Sequence, residues 1–124
     1  MVHPFRRAIE ARDLDAAVAL MSEDVVFRSP AVFKPYQGPE AVRRLLEAVM
    51  AVFEDFRYVR EIGADDARDH ALVFETRVGD KQIEGCDFIQ LDDDGRIAEF
   101  TVMVRPMSGM LALAEAMKVQ LSAI

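Results

Sequence analysis

Few residues in this sequence are placed to do chemistry, and Asp87 is the foremost of them. It sits in Gly85-Cys86-Asp87-Phe88-Ile89, inside a β-rich run whose same-face neighbours are apolar. A carboxylate on an apolar wall is costly when ionised, so it needs a raised pKa, a hydrogen-bond partner or water from an open cavity. Kept neutral, such a carboxyl can donate a hydrogen bond or a proton to an oxygen of a bound molecule, and apolar pockets with few polar groups are where perturbed carboxyls work. The other role open to Asp87 is structural, a hydrogen bond to a neighbouring donor.

The remaining reactive residue types are scattered. His3 and His70 fall at the N-terminus and in an expected loop, where solvent exposure is the simpler reading, so a His-based metal site is not expected. Cys86 is the one cysteine, which rules out an internal disulfide and a four-thiolate zinc site, and its position on the face opposite Asp87 suggests packing. Asp92-Asp93-Asp94-Gly95 lacks the alternating acids and following glutamate of a calcium loop and reads as a hairpin turn. No metal and no cofactor is therefore expected. Tyr36 and Phe33 could form a pocket rim, or pack within their loop. Met103, Met107, Met110 and Met117 could line an adaptable pocket or fill a core.

These residues must be carried by definable elements. Phe5, Ala8 and Ile9 make a short apolar stripe, and Asp13 stands as an N-cap before Leu14, Ala17, Val18 and Met21, so two short helices open the chain. A short strand, Val25 to Arg28, ends at Ser29-Pro30. Gly38-Pro39-Glu40 then starts a longer helix, with Val42, Leu45, Leu46, Val49, Met50 and Phe53 on one side. After it the apolar period becomes two, over Phe56 to Ile62, Ala71 to Val78, Gln82 to Leu91 and Ile97 to Arg105, and Met110 to Leu121 suggests a final helix. Helices followed by an antiparallel meander point to an α+β fold with helices covering one face of a curved sheet.

Tight turns at Gly79-Asp80 and Asp94-Gly95 set the register. Counting back from them places Leu72 on one side of Asp87 and Val102 on the other. Asp87 then shares its face with Leu72, Phe74, Thr76, Val78, Ile83, Gly85, Ile89, Leu91, Ala98, Phe100, Val102 and Val104, and is the only ionisable group among them. A ligand there would meet Leu72, Phe74, Ile89, Phe100, Val102 and Val104 from the sheet, Met50 and Phe53 from the long helix, and Tyr36 and Phe33 at the rim. The opposite face joins Cys86, Phe88, Thr101 and Met103 within a surround of Glu75, Arg77, Glu84 and Arg105. An apolar centre with a charged border has the layout of an interface, so a homodimer through this outer face is expected.

The length of 124 residues suits one domain, 1–124, and the formal net charge of −7 disfavours nucleic acid and anionic membranes as partners. No apolar run reaches the ~18 residues needed to cross a bilayer, and no leader is visible, so a cytoplasmic location is expected.

The order of elements, with Asp13-Leu14-Asp15, Asp24-Val25-Val26-Phe27, Tyr36-Gln37-Gly38, Gly85-Cys86-Asp87 and Asp94-Gly95-Arg96-Ile97, resembles the nuclear transport factor 2-like superfamily, and its SnoaL-like branch above all. The resemblance covers nearly the whole chain and implies a cone-shaped α+β fold. Superfamily members include ketosteroid isomerase, scytalone dehydratase, limonene epoxide hydrolase, polyketide cyclases, and modules without catalysis. By that resemblance, the neutral acid that donates to an oxyanion in steroid isomerases falls on Asp87, the tyrosine donor's place is taken by Phe5 and the general base's place by Ser29. What it implies is an enzyme acting on a small, apolar, cyclic and oxygenated molecule by isomerisation, cyclisation, hydration or dehydration. The alternative is a non-catalytic module of the same fold that binds a hydrophobic ligand or a protein.

Overall fold

The two opening helices are set by their caps. In the computed structural model, which describes residues 2–122, α1 (Pro4–Glu10) begins where His3 Nδ1 accepts a hydrogen bond from the Phe5 amide at 3.1 Å. Helix α2 (Leu14–Ala19) begins where the Asp13 carboxylate accepts from the Ala16 amide at 3.0 Å. Strand β1 (Met21–Arg28) follows, then the two-residue β2 (Tyr36–Gln37) and α3 (Pro39–Val52), whose start at Gly38 has the positive φ of 91° that glycine tolerates. Strands β3 (Glu54–Ile62), β4 (Asp69–Val78), β5 (Lys81–Leu91) and β6 (Ile97–Arg105) form the meander, and α4 (Met107–Ser122) closes it.

The strands make one curved sheet in the order β2-β1-β6-β5-β4-β3. Neighbours are antiparallel except β1 and β6, which run parallel because β1 returns to the sheet on the far side of the last hairpin. The helices lie over the concave face. Val42, Leu45 and Leu46 are buried on α3, as its spacing required, with Ala48 buried beside them. On α4, a Cβ at buried Gly109 would stand 2.7 Å from Ile83 Cγ1, so the missing side chain lets this helix lie close on β5. No helix among the described residues is long and apolar enough to cross a membrane.

The register around Asp87 is the one counted from the turns, with Leu72 and Val102 as its partners. The second hairpin reaches it by a different path. The Asp92 amide donates to the Arg96 carbonyl at 2.8 Å, so the loop is Asp93-Asp94-Gly95, one residue longer than expected. A bulge at Ala98, between the pairs Gln90–Glu99 and Leu91–Ile97, cancels that extra residue. Ile97 therefore faces the core at 1% exposure, and Ala98 is the displaced residue instead of a member of the inner face.

Both histidines are buried, against expectation. Strand β4 starts at Asp69, earlier than the apolar pattern indicated, which puts His70 on the inner face opposite Ile89. Its Nε2 lies 2.8 Å from the Ala67 carbonyl, and its ring meets that of His3 edge-on at 4.6 Å. Asp87 thus shares the inner face with a second ionisable side chain. His3 is withdrawn from water because it caps α1, and burial lowers its pKa, with His70 adding to the effect and Glu61 opposing it.

Candidate functional site

Asp87 lies near the middle of β5, and its side chain rises from the floor of the concave face with 6% exposure. The hydroxyl of Tyr58 donates to its Oδ2 at 2.8 Å. Tyr58 is presented by β3, opposite Phe74, next to a register shift that takes up Val59 and lets Arg57 and Arg60 face outward. Phe56 encloses the tyrosine ring edge-on at 5.0 Å, and the Arg6 guanidinium lies 5.9 Å from its centre.

Burial pushes the Asp87 carboxyl up from 3.8 to about 7, the Tyr58 hydrogen bond pulling weakly the other way because it favours the carboxylate. Tyr58 is held well above its ordinary pKa by burial first, then by the neighbouring carboxylate, so it remains a hydroxyl donor. Below neutrality the pair is a carboxylic acid whose Oδ2 accepts from Tyr58, leaving a proton to offer to a guest. Close to neutrality it can release that proton and recover it, the condition for general acid–base work. Cys86, on the outer face, has its thiol pKa raised by burial and then by Asp87, in keeping with packing and not with a nucleophile.

Above the pair opens a cavity of about 530 Å³, walled mainly by aromatic and aliphatic side chains of the sheet, α1, α3, α4 and the segment after β1. Asp87, Tyr36, Met50, Phe53, Phe74, Phe100 and Val102 all line it, as do Met110 and Met117 of α4. Leu72, Ile89 and Val104 do not: the inner face is longer than the cavity, and these residues pack into the hydrophobic core beside it. Phe33 lies entirely in solvent, because the loop after β1 turns its neighbours Ala31 and Val32 to the cavity instead. Phe5 lines the cavity and meets Phe100 edge-on at 4.9 Å, while the Ser29 hydroxyl accepts from the Ala31 and Val32 amides and anchors that loop.

One wall is shaped by a glycine. Gly85 pairs with Phe74 across β4 and β5, and a Cβ at position 85 would stand 2.2 Å from Phe74 Cζ. The tip of the Phe74 ring occupies the space that a side chain there would need.

Tyr58 was not among the expected site residues. Its partnership depends on β3, which is joined to β4 through residues 63–68 without a two-residue turn from which to count, and which carries a bulge. The usable signal was the alternation Phe56-Arg57-Tyr58, which sets two aromatic residues on one face and an arginine on the other. Among the described residues no three His, Cys, Asp or Glu side chains gather as a metal-binding group.

A helix-covered curved sheet enclosing a mainly apolar cavity with one buried acid defines a nuclear transport factor 2-like protein. The chain belongs to the SnoaL-like domain family, whose model matches residues 2–100. It is similar to the crystal structure of a steroid delta-isomerase from Pseudomonas aeruginosa, with 47% identity and a TM-score of 0.89, over 94% of this chain and 85% of that one. A bacterial protein with a cystatin-like fold from Silicibacter pomeroyi shares 34% identity with a TM-score of 0.88, over 94% and 82% of the two chains. An NTF2-like protein of unknown function from Cytophaga hutchinsonii, at 20% identity and TM-score 0.63 over 85% and 87%, shares the fold. Among curated proteins, none matches the sequence.

Proposed function

We propose that this protein is a small-molecule enzyme that binds an apolar, cyclic, oxygenated substrate in the cavity and acts on it through Asp87 by isomerisation, cyclisation, hydration or dehydration. The observation that carries this reading is the buried acid, its pKa raised to about 7, with its tyrosine partner on the floor of an apolar cavity. As a substrate oxygen gains charge, Asp87 supplies a hydrogen bond or its proton, and the Tyr58 hydroxyl steadies the carboxylate left behind. The steroid delta-isomerase named for the Pseudomonas relative supports an apolar, cyclic, oxygenated substrate. The lone cysteine supports a reducing, cytoplasmic setting.

The test is turnover of a panel of cyclic unsaturated ketones, followed by the absorbance change on conjugation, in the wild type and in Asp87→Asn. Loss of about 100-fold in kcat/KM is expected in the variant. Equal turnover in both proteins would remove Asp87 from the chemistry. A second reading is favoured by Phe5 and Ser29, one without a hydroxyl and the other committed to its loop: the protein binds such a ligand without converting it. Saturable binding without turnover across the panel would establish that alternative.

We also propose a homodimer through the outer sheet face. Ile62, Ala71, Phe88 and Thr101 stand in one row across four strands, beside Cys86 and Met103, with Ile62, Phe88 and Met103 exposed. Such a row is an unusual surface for a monomer. Light scattering over a range of concentrations measures the state, and a monomer throughout would refute the pairing.

A further inference from the structure

The charges around the cavity are unevenly paired. Besides Asp87, its lining includes Glu10, Arg12, Asp55, Arg57 and Lys118, all exposed and therefore at the rim. Glu10 is bound to Arg6 at 3.2 Å, a cation it shares with Glu61, Asp55 to Arg77 at 2.8 Å, a cation it shares with Glu54, and Arg57 to Glu75 at 2.8 Å. Arg12 and Lys118 enter no ion pair among the described residues. In a chain of net charge −7, the two charged side chains of the rim that have no ion-pair partner among the described residues are both cations.

Arg12 is also held in place. Its guanidinium donates to the Met50 carbonyl at 3.3 Å, and its backbone has a φ of 55°, in the left-handed region that side chains rarely adopt. Among the described residues one other non-glycine shares that conformation, Asp55 with a φ of 53°, and it too lines the rim. Backbone strain of this kind gathers where a side chain must be aimed. One guanidinium contact goes to a carbonyl, and the remaining donors of the fork are free for an anion.

The two ends of the cavity thus have opposite preferences. The inner end holds a buried acid with no cation beside it, where an anionic group would face a carboxyl in low dielectric and prevent its ionisation. The exposed rim includes two cations without an ion-pair partner among the described residues, in reach of water, where an anion loses little hydration. We infer that the ligand is an apolar carboxylic acid carrying a second oxygen function, bound with its carbonyl or hydroxyl oxygen at Asp87 and Tyr58 and its carboxylate at the rim between Arg12 and Lys118.

This inference rests on the cavity being the small-molecule site, and the test separates the two ideas. The probes are 1-anilinonaphthalene-8-sulfonate and its uncharged parent N-phenyl-1-naphthylamine, which differ by the anionic group alone. Fluorescence titration of the wild type and of Arg12→Gln/Lys118→Gln measures both. Expected are mutual competition between the probes, weakening of the sulfonate about five- to tenfold in the double variant, and the neutral probe within twofold. Added salt should weaken the sulfonate and leave the neutral probe unchanged. If the neutral probe binds but the sulfonate has the same affinity in both proteins, the charged rim is overturned and the cavity reading stands. If neither probe binds the wild type, the cavity reading fails and this inference with it.

Discussion

The two faces of the sheet treat the same chemical group in opposite ways. On the outer face Glu75 meets Arg57 at 2.8 Å, Glu84 meets Arg105 at 3.1 Å and Glu99 meets Arg28 at 2.6 Å, all in contact with water. On the inner face Asp87, three residues along the strand from Glu84, meets a hydroxyl and no cation. Exposed ion pairs add little to stability, about 0–1 kcal/mol each. A buried, unpaired carboxyl makes stability depend on its proton. Side-chain alternation along one strand thus separates a solvated border from a buried acid.

The largest expected effect breaks the comparison at Asp87. With its pKa raised from 3.8 to about 7 on folding, the native state keeps a proton that the unfolded chain releases. The resulting stability is fully present below pH 4 and is lost as pH rises to about 7, a fall of about 4 kcal/mol from this group. Urea denaturation at a series of pH values should show that fall in the wild type and its absence in Asp87→Asn. An equal slope in both proteins would assign the titration elsewhere.

A smaller effect sharpens the same contrast. Tyr58→Phe removes the donor that favours the carboxylate, so the Asp87 titration should move upward. The loss of stability should be about 1.5–3 kcal/mol at pH 8, where a hydrogen bond to a charged group is removed, and about 1 kcal/mol at pH 5, where the acid is neutral. Denaturation at the two pH values measures the difference, and equal losses would mean that the bond does not sense the charge. The smallest effect belongs to the outer face. Phe88→Glu should cost the folded monomer no more than about 0.5 kcal/mol, being a surface change. The same substitution should convert the proposed dimer to a monomer in light scattering, by burying unpaired like charges.

Much of this arrangement was legible because local rules agreed. The α3 stripe and the Gly79-Asp80 turn fixed the helix and the register of β4 on β5, and with them the side of the sheet on which Asp87 lies. The extra loop residue and the Ala98 bulge are each invisible in the sequence, and they left that register intact because their offsets cancel. Other features depend on contacts distant in the chain. The parallel pairing of β1 with β6 has no turn to announce it, and Tyr58 reaches Asp87 across 29 positions. His3 and His70 were misplaced because a cap and a strand start, each a matter of one or two residues, decide whether an imidazole meets water or another imidazole. Phe33 was misplaced because an aromatic residue in a loop has no periodicity to fix its direction.

Gly85 gives the molecule a tuning point outside its cavity. The Phe74 ring is shared between two spaces, the vacant side-chain position at 85 and the room above Asp87, so any atoms added to the first must displace the ring toward the second. A single hydrogen-to-methyl exchange, two residues along the strand from the acid and without touching a guest, would make the chamber smaller. Cavity size can therefore be altered at position 85 without changing the residue at position 87.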